Sequence, residues 1–254
     1  MRPDGRKFNE LRPLKITRTY LRNPEGSALI ELGGTKVICT ASVEDKVPQF
    51  LRGLDQGWVT AEYAMLPRST AVRSQRERNS AKSRSLEIQR LIGRSLRAVT
   101  DLKRLGERTI WLDCDVIEAD GGTRTAAISG AFVALAEACL FLKERDLITG
   151  FPLSDFLAAI SVGLLAGNPV LDLAYAEDSA AGVDLNVVMT ADGKLVEVQG
   201  AAEDKPFSRN ELERLLDLAT AGITEITACQ KSVLGEDLSR LIAAPGGIKD
   251  NGSR

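Results

Sequence analysis

The apolar pattern of this chain changes from strand-like to helix-like twice, in the same order, and that order restricts the fold more than any single residue does. Residues 27–32 and 35–43 are β-rich runs joined by Gly33-Gly34, a dipeptide suited to a tight hairpin turn. Residues 58–65 add a strand. Residues 85–102 then place Ile88, Leu91, Ile92, Leu96, Val99 and Leu102 at the spacing of an amphipathic helix. Residues 109–118 alternate Ile110, Leu112, Cys114 and Val116 against Trp111, Asp113 and Asp115, and Gly121-Gly122 separates them from a mostly apolar helix at about 125–143. After a linker at 146–152, the runs 158–165, 170–174, 183–189 and 195–199 read as strands, with a hairpin turn at Ala191-Asp192-Gly193. A long helix follows, capped by Ser208 or Asn210 and running to about Leu234. Strands followed by helices in each half predict an α+β chain of two related lobes, residues 1–150 and 151–240, and a disordered tail over 241–254.

Bulk properties narrow the class. The apolar share of 44% and charged share of 27% are those of an ordinary globular chain, and no uninterrupted apolar stretch has the length of a membrane span. The charged N-terminus does not read as a secretory signal, so a cytoplasmic location is expected. Cys39, Cys114, Cys139 and Cys229 lack any Cys-x-x-Cys spacing and read as reduced core thiols. Histidine is absent from the sequence, which leaves acid–base work to carboxylates, lysines or metal-bound water. The net charge of −2 conceals an uneven distribution, so local patches carry the information.

Three constellations have the residue types for chemistry. In 67–84, Arg68, Arg73, Arg76, Arg78, Lys82 and Arg84 face one acid, Glu77, without apolar periodicity. Such a segment is either a solvated loop or an arm for a nucleic-acid backbone, because the guanidinium fork pairs with two phosphate oxygens. Asp120-Gly121-Gly122-Thr123-Arg124-Thr125 sits between a strand and a helix. It is either an ordinary turn or a cradle for a lone inorganic phosphate, since it lacks the Walker and dinucleotide glycine patterns. Glu177-Asp178 and Asp184 flank a bend, and strand alternation puts Asp184 and Asn186 opposite Val183, Leu185, Val187 and Met189. These acids are either turn residues or a pair able to hold Mg²⁺ or protonate a leaving alkoxide.

Four stretches carry a family resemblance: residues 57–68 (GWVTAEYAMLPR), 86–93 (LEIQRLIG), 113–125 (DCDVIEADGGTRT) and 177–190 (EDSAAGVDLNVVMT). Each is similar to the bacterial ribonuclease PH family, and the resemblance covers about residues 1–240. It implies two β-α lobes of the ribosomal protein S5 domain 2-like type, assembled as a homo-hexameric ring, a trimer of dimers. It implies 3′-to-5′ phosphorolysis of tRNA precursors, with a part in rRNA processing, in which inorganic phosphate releases nucleoside diphosphates reversibly. The implied phosphate ligands are Arg84, Gly122, Thr123 and Arg124; the implied catalytic and Mg²⁺-binding acids are Asp178 and Asp184; Arg68, Arg73 and Arg76 match the tRNA-contacting loop.

The chain departs from the family pattern twice. It reads Ser83-Arg84-Ser85 where Gly-Arg-Thr is common, after a slightly shorter loop, and it carries Asn186 where related polynucleotide phosphorylases have lysine. Two rivals compete with the phosphorolytic reading. A catalytically silent RNA-binding ring subunit would need the basic loop but not the acids and phosphate turn together. A two-metal hydrolytic nuclease would have no use for a free-phosphate site.

Overall fold

The computed structural model describes residues 2–76, 83–203 and 205–243. Its first sheet contains β1 (Leu14–Arg18), β2 (Gly26–Leu32), β3 (Thr35–Glu44), β4 (Trp58–Met65) and, beyond helices α1 (Ser83–Arg97) and α2 (Leu102–Leu105), β5 (Thr109–Glu118). The strand order is β1-β2-β3-β5-β4. The expected hairpin is present, with Leu32 opposite Thr35 across Gly33-Gly34. β4 lies parallel to β5, because the connection through α1 returns the chain to the same end of the sheet.

Helix α3 (Thr123–Glu144) then leads to the second sheet, made of β6 (Leu157–Leu165), β7 (Asn168–Leu171), β8 (Val183–Thr190) and β9 (Leu195–Ala202), with the short helix α4 (Tyr175–Asp178) between β7 and β8. Its order is β7-β6-β8-β9, antiparallel throughout, and α5 (Arg209–Ala243) packs over β6 and β7. The α+β class with two β-α lobes therefore holds.

Helix α3 contacts β2, β3 and β5 of one sheet and β6 of the other. Ala126, Ala127, Ile128, Ala131, Phe132, Leu135 and Cys139 have essentially no exposed surface. With a mean hydropathy of 1.9 it is long and apolar enough to cross a membrane, but 83% of that window is buried inside the protein. A helix apolar all round belongs in a core, and here it is the core shared by both sheets.

The structure revises four expectations. The helix expected over 85–102 stops at Arg97, because Thr100 bridges to Leu153 and Asp101 starts α2 by accepting from the backbone N–H groups of Lys103 and Arg104. The linker at 146–152 is a wedge rather than a loose connection, with Ile148 and Phe151 buried in the main core. The last helix, capped by a reciprocal Ser208–Glu211 pair, has non-helical backbone at Gly235 (φ 81°) and resumes to Ala243. Residues 241–243 are thus helical rather than tail, with Ile242 buried, while 244–254 lie outside the described residues. Cys39, Cys114 and Cys139 are buried and Cys229 is half-buried, all four as free thiols.

Candidate active site

The turn expected to cradle phosphate is built by positive-φ backbone that favours glycine. Gly121 has φ 74°, and a Cβ there would stand 2.5 Å from the Leu173 carbonyl oxygen. Gly122 follows in the left-handed region at φ 65°, immediately before α3 begins at Thr123. The first amides of that helix have no partner within it, and together with the aligned peptide dipoles they favour an anion at this end. Thr123 receives a hydrogen bond from the Tyr63 hydroxyl at 2.8 Å, which fixes its side chain. Burial pushes the Tyr63 phenol above its ordinary range, while Thr123, Arg84 and Arg124 pull it down.

Arg84 and Arg124 come from different helices and act electrostatically on the same groups. Arg84 is exposed in the first turn of α1, and Arg124, in the first turn of α3, lies 3.4 Å from Glu87. Both act electrostatically on Tyr63 and on Asp178, and Arg124 also acts on Asp184. The shorter loop before Arg84 therefore still leaves its charge within electrostatic reach of Tyr63 and Asp178.

The acids come from the second sheet. Asp178 ends α4 at the surface; desolvation raises its carboxyl above the ordinary value, against the pull of Arg124, Arg84 and Arg12. Asp184 stands on β8 between Gly163 and Ala201, its cross-strand partners. Its carboxyl is pushed up to about 6, chiefly by burial and next by the charge of Asp178, with Arg124 and Asn186 opposing. The Asp184 Oδ1 atom is buried and has no hydrogen-bond partner among the described residues. A buried acceptor without a donor, beside a second carboxylate, fits a hard cation such as Mg²⁺. Among the described residues no cluster of three or more acids, cysteines or histidines could hold a metal alone, so such an ion would complete its shell with phosphate oxygens and water.

Glu177, grouped with these acids on sequence grounds, faces away from them. It is buried beneath Arg2, whose Nε and Nη2 donate to its two oxygens at 2.7 Å, so its carboxyl is held below the usual range. Sequence reasoning missed Arg2, Arg6 and Arg12, although three arginines within a short charged N-terminal run were a visible signal.

The basic loop is rooted next to the turn, where the Ala119 N–H donates to the Ser69 carbonyl at 2.8 Å. Arg68, Arg73 and Arg76 are all exposed. Arg76 favours the charged form of Asp115, while desolvation and neighbouring Asp113 raise that carboxyl. Arg78 and Lys82 lie outside the described residues.

The geometry defines a class: a two-lobed α+β protein in which a glycine turn at a helix N-terminus of one lobe faces carboxylates of the other. Solved structures share the fold. Rice (Oryza sativa) Rrp46 superposes with a TM-score of 0.76 over 92% of this chain and 100% of that one, at 20% identity. A chain of the Archaeoglobus fulgidus exosome with RNA bound to the active site superposes with a TM-score of 0.75 over 91% and 92%, at 21% identity. Residues 10–140 match domain 1 of the 3′ exoribonuclease family and residues 155–222 match domain 2. The ribonuclease PH of Moorella thermoacetica is 59% identical over 243 residues, 95% of this chain and 97% of that protein. The chain belongs to the ribonuclease PH group of the 3′ exoribonuclease family.

Proposed function

We propose that this chain is a phosphate-dependent 3′-to-5′ exoribonuclease, a tRNA nucleotidyltransferase that trims the 3′ extensions of tRNA precursors and releases nucleoside diphosphates. The observation that carries the reading is the meeting of an arginine-flanked phosphate turn with the orphaned oxygen of Asp184. Phosphoryl transfer needs its nucleophile and leaving oxygen in line and its equatorial charge neutralised, and positioned cations supply most of the effect. The Gly122 amide, Thr123 hydroxyl, Arg84 and Arg124 hold and orient the attacking phosphate. Asp184, with a carboxyl pushed up to about 6, is suited to hold or deliver a proton at the leaving 3′ oxygen, and Asp178 stands within the field of Arg124 and Arg84. In the alternative role Asp184, ionised, would join Asp178 in holding Mg²⁺, which would neutralise charge on the transferring phosphoryl group. Asn186 takes no part as a cation, since an amide carries no charge.

Arg68, Arg73 and Arg76 contact the backbone of the tRNA body, and their exposure beside the turn supports this role. The working form is a cytoplasmic homo-hexameric ring, a trimer of dimers, which exposed Phe50, Leu54 and Tyr175 would help to close. A silent ring subunit would have no need of the acid pair and the phosphate turn together. The test is incubation with 3′-extended tRNA and Mg²⁺, with and without phosphate. Nucleoside diphosphates formed only with phosphate, and tail addition when diphosphates are in excess, are the expected result. Monophosphates released in phosphate-free buffer would refute it.

A further inference from the structure

The N-terminal segment brings Arg2, Arg6 and Arg12 against both halves of the site, although none of them has a part in the chemistry above. Asp172, fully buried between β7 and α4, accepts from the Arg12 backbone N–H (2.8 Å), Arg12 Nε (2.9 Å), Arg12 Nη2 (2.7 Å) and Arg6 Nη1 (3.2 Å). The same Arg12 guanidinium reaches across to the first lobe, where it donates to the carbonyl oxygens of Asp120 and Gly121. Arg2 grips Glu177 with two bonds of 2.7 Å and continues to the carbonyls of Asp172, Lys7 and Glu10. A return link runs from the Tyr175 N–H to Asp120 Oδ1 at 3.2 Å, so an acid of the phosphate turn caps the helix that carries Asp178.

Burying this much charge is not an economical way to stabilise a fold, because apolar side chains of the same volume often do as well or better. Forked guanidinium–carboxylate bonds offer fixed distances and angles instead. Gly121 shows how closely the parts are set, since it leaves no room for a Cβ against Leu173 and Tyr175.

We propose that Arg2, Arg6 and Arg12 are positioning residues: the N-terminal segment is a strap that fixes the spacing between the phosphate turn of the first lobe and Asp178 of the second. The inference rests on the phosphorolytic reading above. Displacing a reacting group by ~1 Å can cost roughly 10²-fold in rate, so a strap of this kind governs turnover without touching RNA.

The test compares full-length Glu177→Gln and Arg12→Lys, which keep the volume or the charge but lose the fork geometry, with the wild-type protein. The readouts are kcat and KM for phosphate and tRNA, and Mg²⁺ binding by calorimetry in phosphate buffer without RNA. We expect kcat and Mg²⁺ affinity each to fall roughly 10–100-fold while KM for tRNA is unchanged. A merely structural role would lower the folded fraction and leave kcat per folded site and the Mg²⁺ isotherm as in the wild type, and that result overturns the strap. Should either variant fail to fold, Asp120→Ala removes only the Tyr175 cap and the outer Arg12 contact. It should shift both readouts in the same direction by several-fold, and a folded Asp120→Ala protein with wild-type kcat and Mg²⁺ binding also overturns the strap. Absence of phosphorolysis in the wild-type protein would refute the proposed function itself, before any variant is compared.

Discussion

Two sets of arginines, Arg2, Arg6 and Arg12 at the N-terminus and Arg68, Arg73 and Arg76 in the loop, are put to opposite uses. The first set is buried, or nearly so, and committed to Asp172 and Glu177. The second is exposed, with Arg76 close enough to act electrostatically on Asp115. Arginines whose donors are spent on protein carboxylates fix geometry, and arginines whose donors face water are available to phosphate. Between them stand Arg124, paired with Glu87, and the exposed Arg84.

The strongest way to break this division lies at the acids between the two sets. Asp184→Asn should lower turnover by roughly 10²–10⁴-fold with tRNA affinity preserved, the scale of a lost proton-transfer or charge-stabilising group. Retained turnover, measured in a single-nucleotide release assay, would return Asp184 to an ordinary strand position. Arg124→Ala tests the intermediate set. Losing one charge-assisted bond costs about 1.5–3 kcal/mol, so phosphate use should weaken by one to two orders of magnitude while tRNA binding holds. An unchanged KM for phosphate would place that substrate elsewhere.

The open set is sharpened by salt. Replacing Arg68, Arg73 and Arg76 together with alanine should weaken tRNA binding and flatten the slope of log affinity against log salt by about two to three units. Very short oligonucleotides should be cleaved nearly as before, because they reach only the turn and the acids. An intact ring with wild-type affinity and slope would reduce these arginines to solvation.

The smallest effect concerns stability. The Asp184 carboxyl titrates at about 6 in the folded chain against 3.8 when free, so its contribution is complete at low pH and is lost as pH rises through the folded value. Asp184→Asn should therefore melt higher than the wild type in metal-free buffer at about pH 7.5, by roughly 1–2 kcal/mol after solvent screening, and the gain should vanish near pH 4. Equal melting temperatures at both pH values would show that burial of this charge costs nothing.

Much of this was legible because strand and helix periods differ so sharply. β5 falls where its alternating pattern puts it, β4 covers the expected 58–65, and α3 begins within two residues of the expected start. The residues that the resemblance singled out, Arg84, Thr123, Arg124, Asp178 and Asp184, are linked through the electrostatics of Tyr63, Asp178 and Asp184. β1 was missed because Leu14–Arg18 is a short edge strand with a single buried side chain, too little for a periodic signal. Helix α4 was missed because four residues cannot show a helical period. The roles of Arg2 and Arg12 depend on partners more than 150 residues away, Glu177 and Asp172, which local pattern cannot supply.

Helix α3 joins what the two family domains divide. Because one apolar rod fills the interior of both sheets, removing either half would expose it, and neither half is a self-sufficient folding unit. Thermal unfolding of a protomer should thus be a single all-or-none transition, with the calorimetric enthalpy matching the van't Hoff value. Two evolutionary modules would then behave as one thermodynamic body, and a weakening substitution anywhere along α3 would be felt at the anion turn and at the distant β6 strand alike.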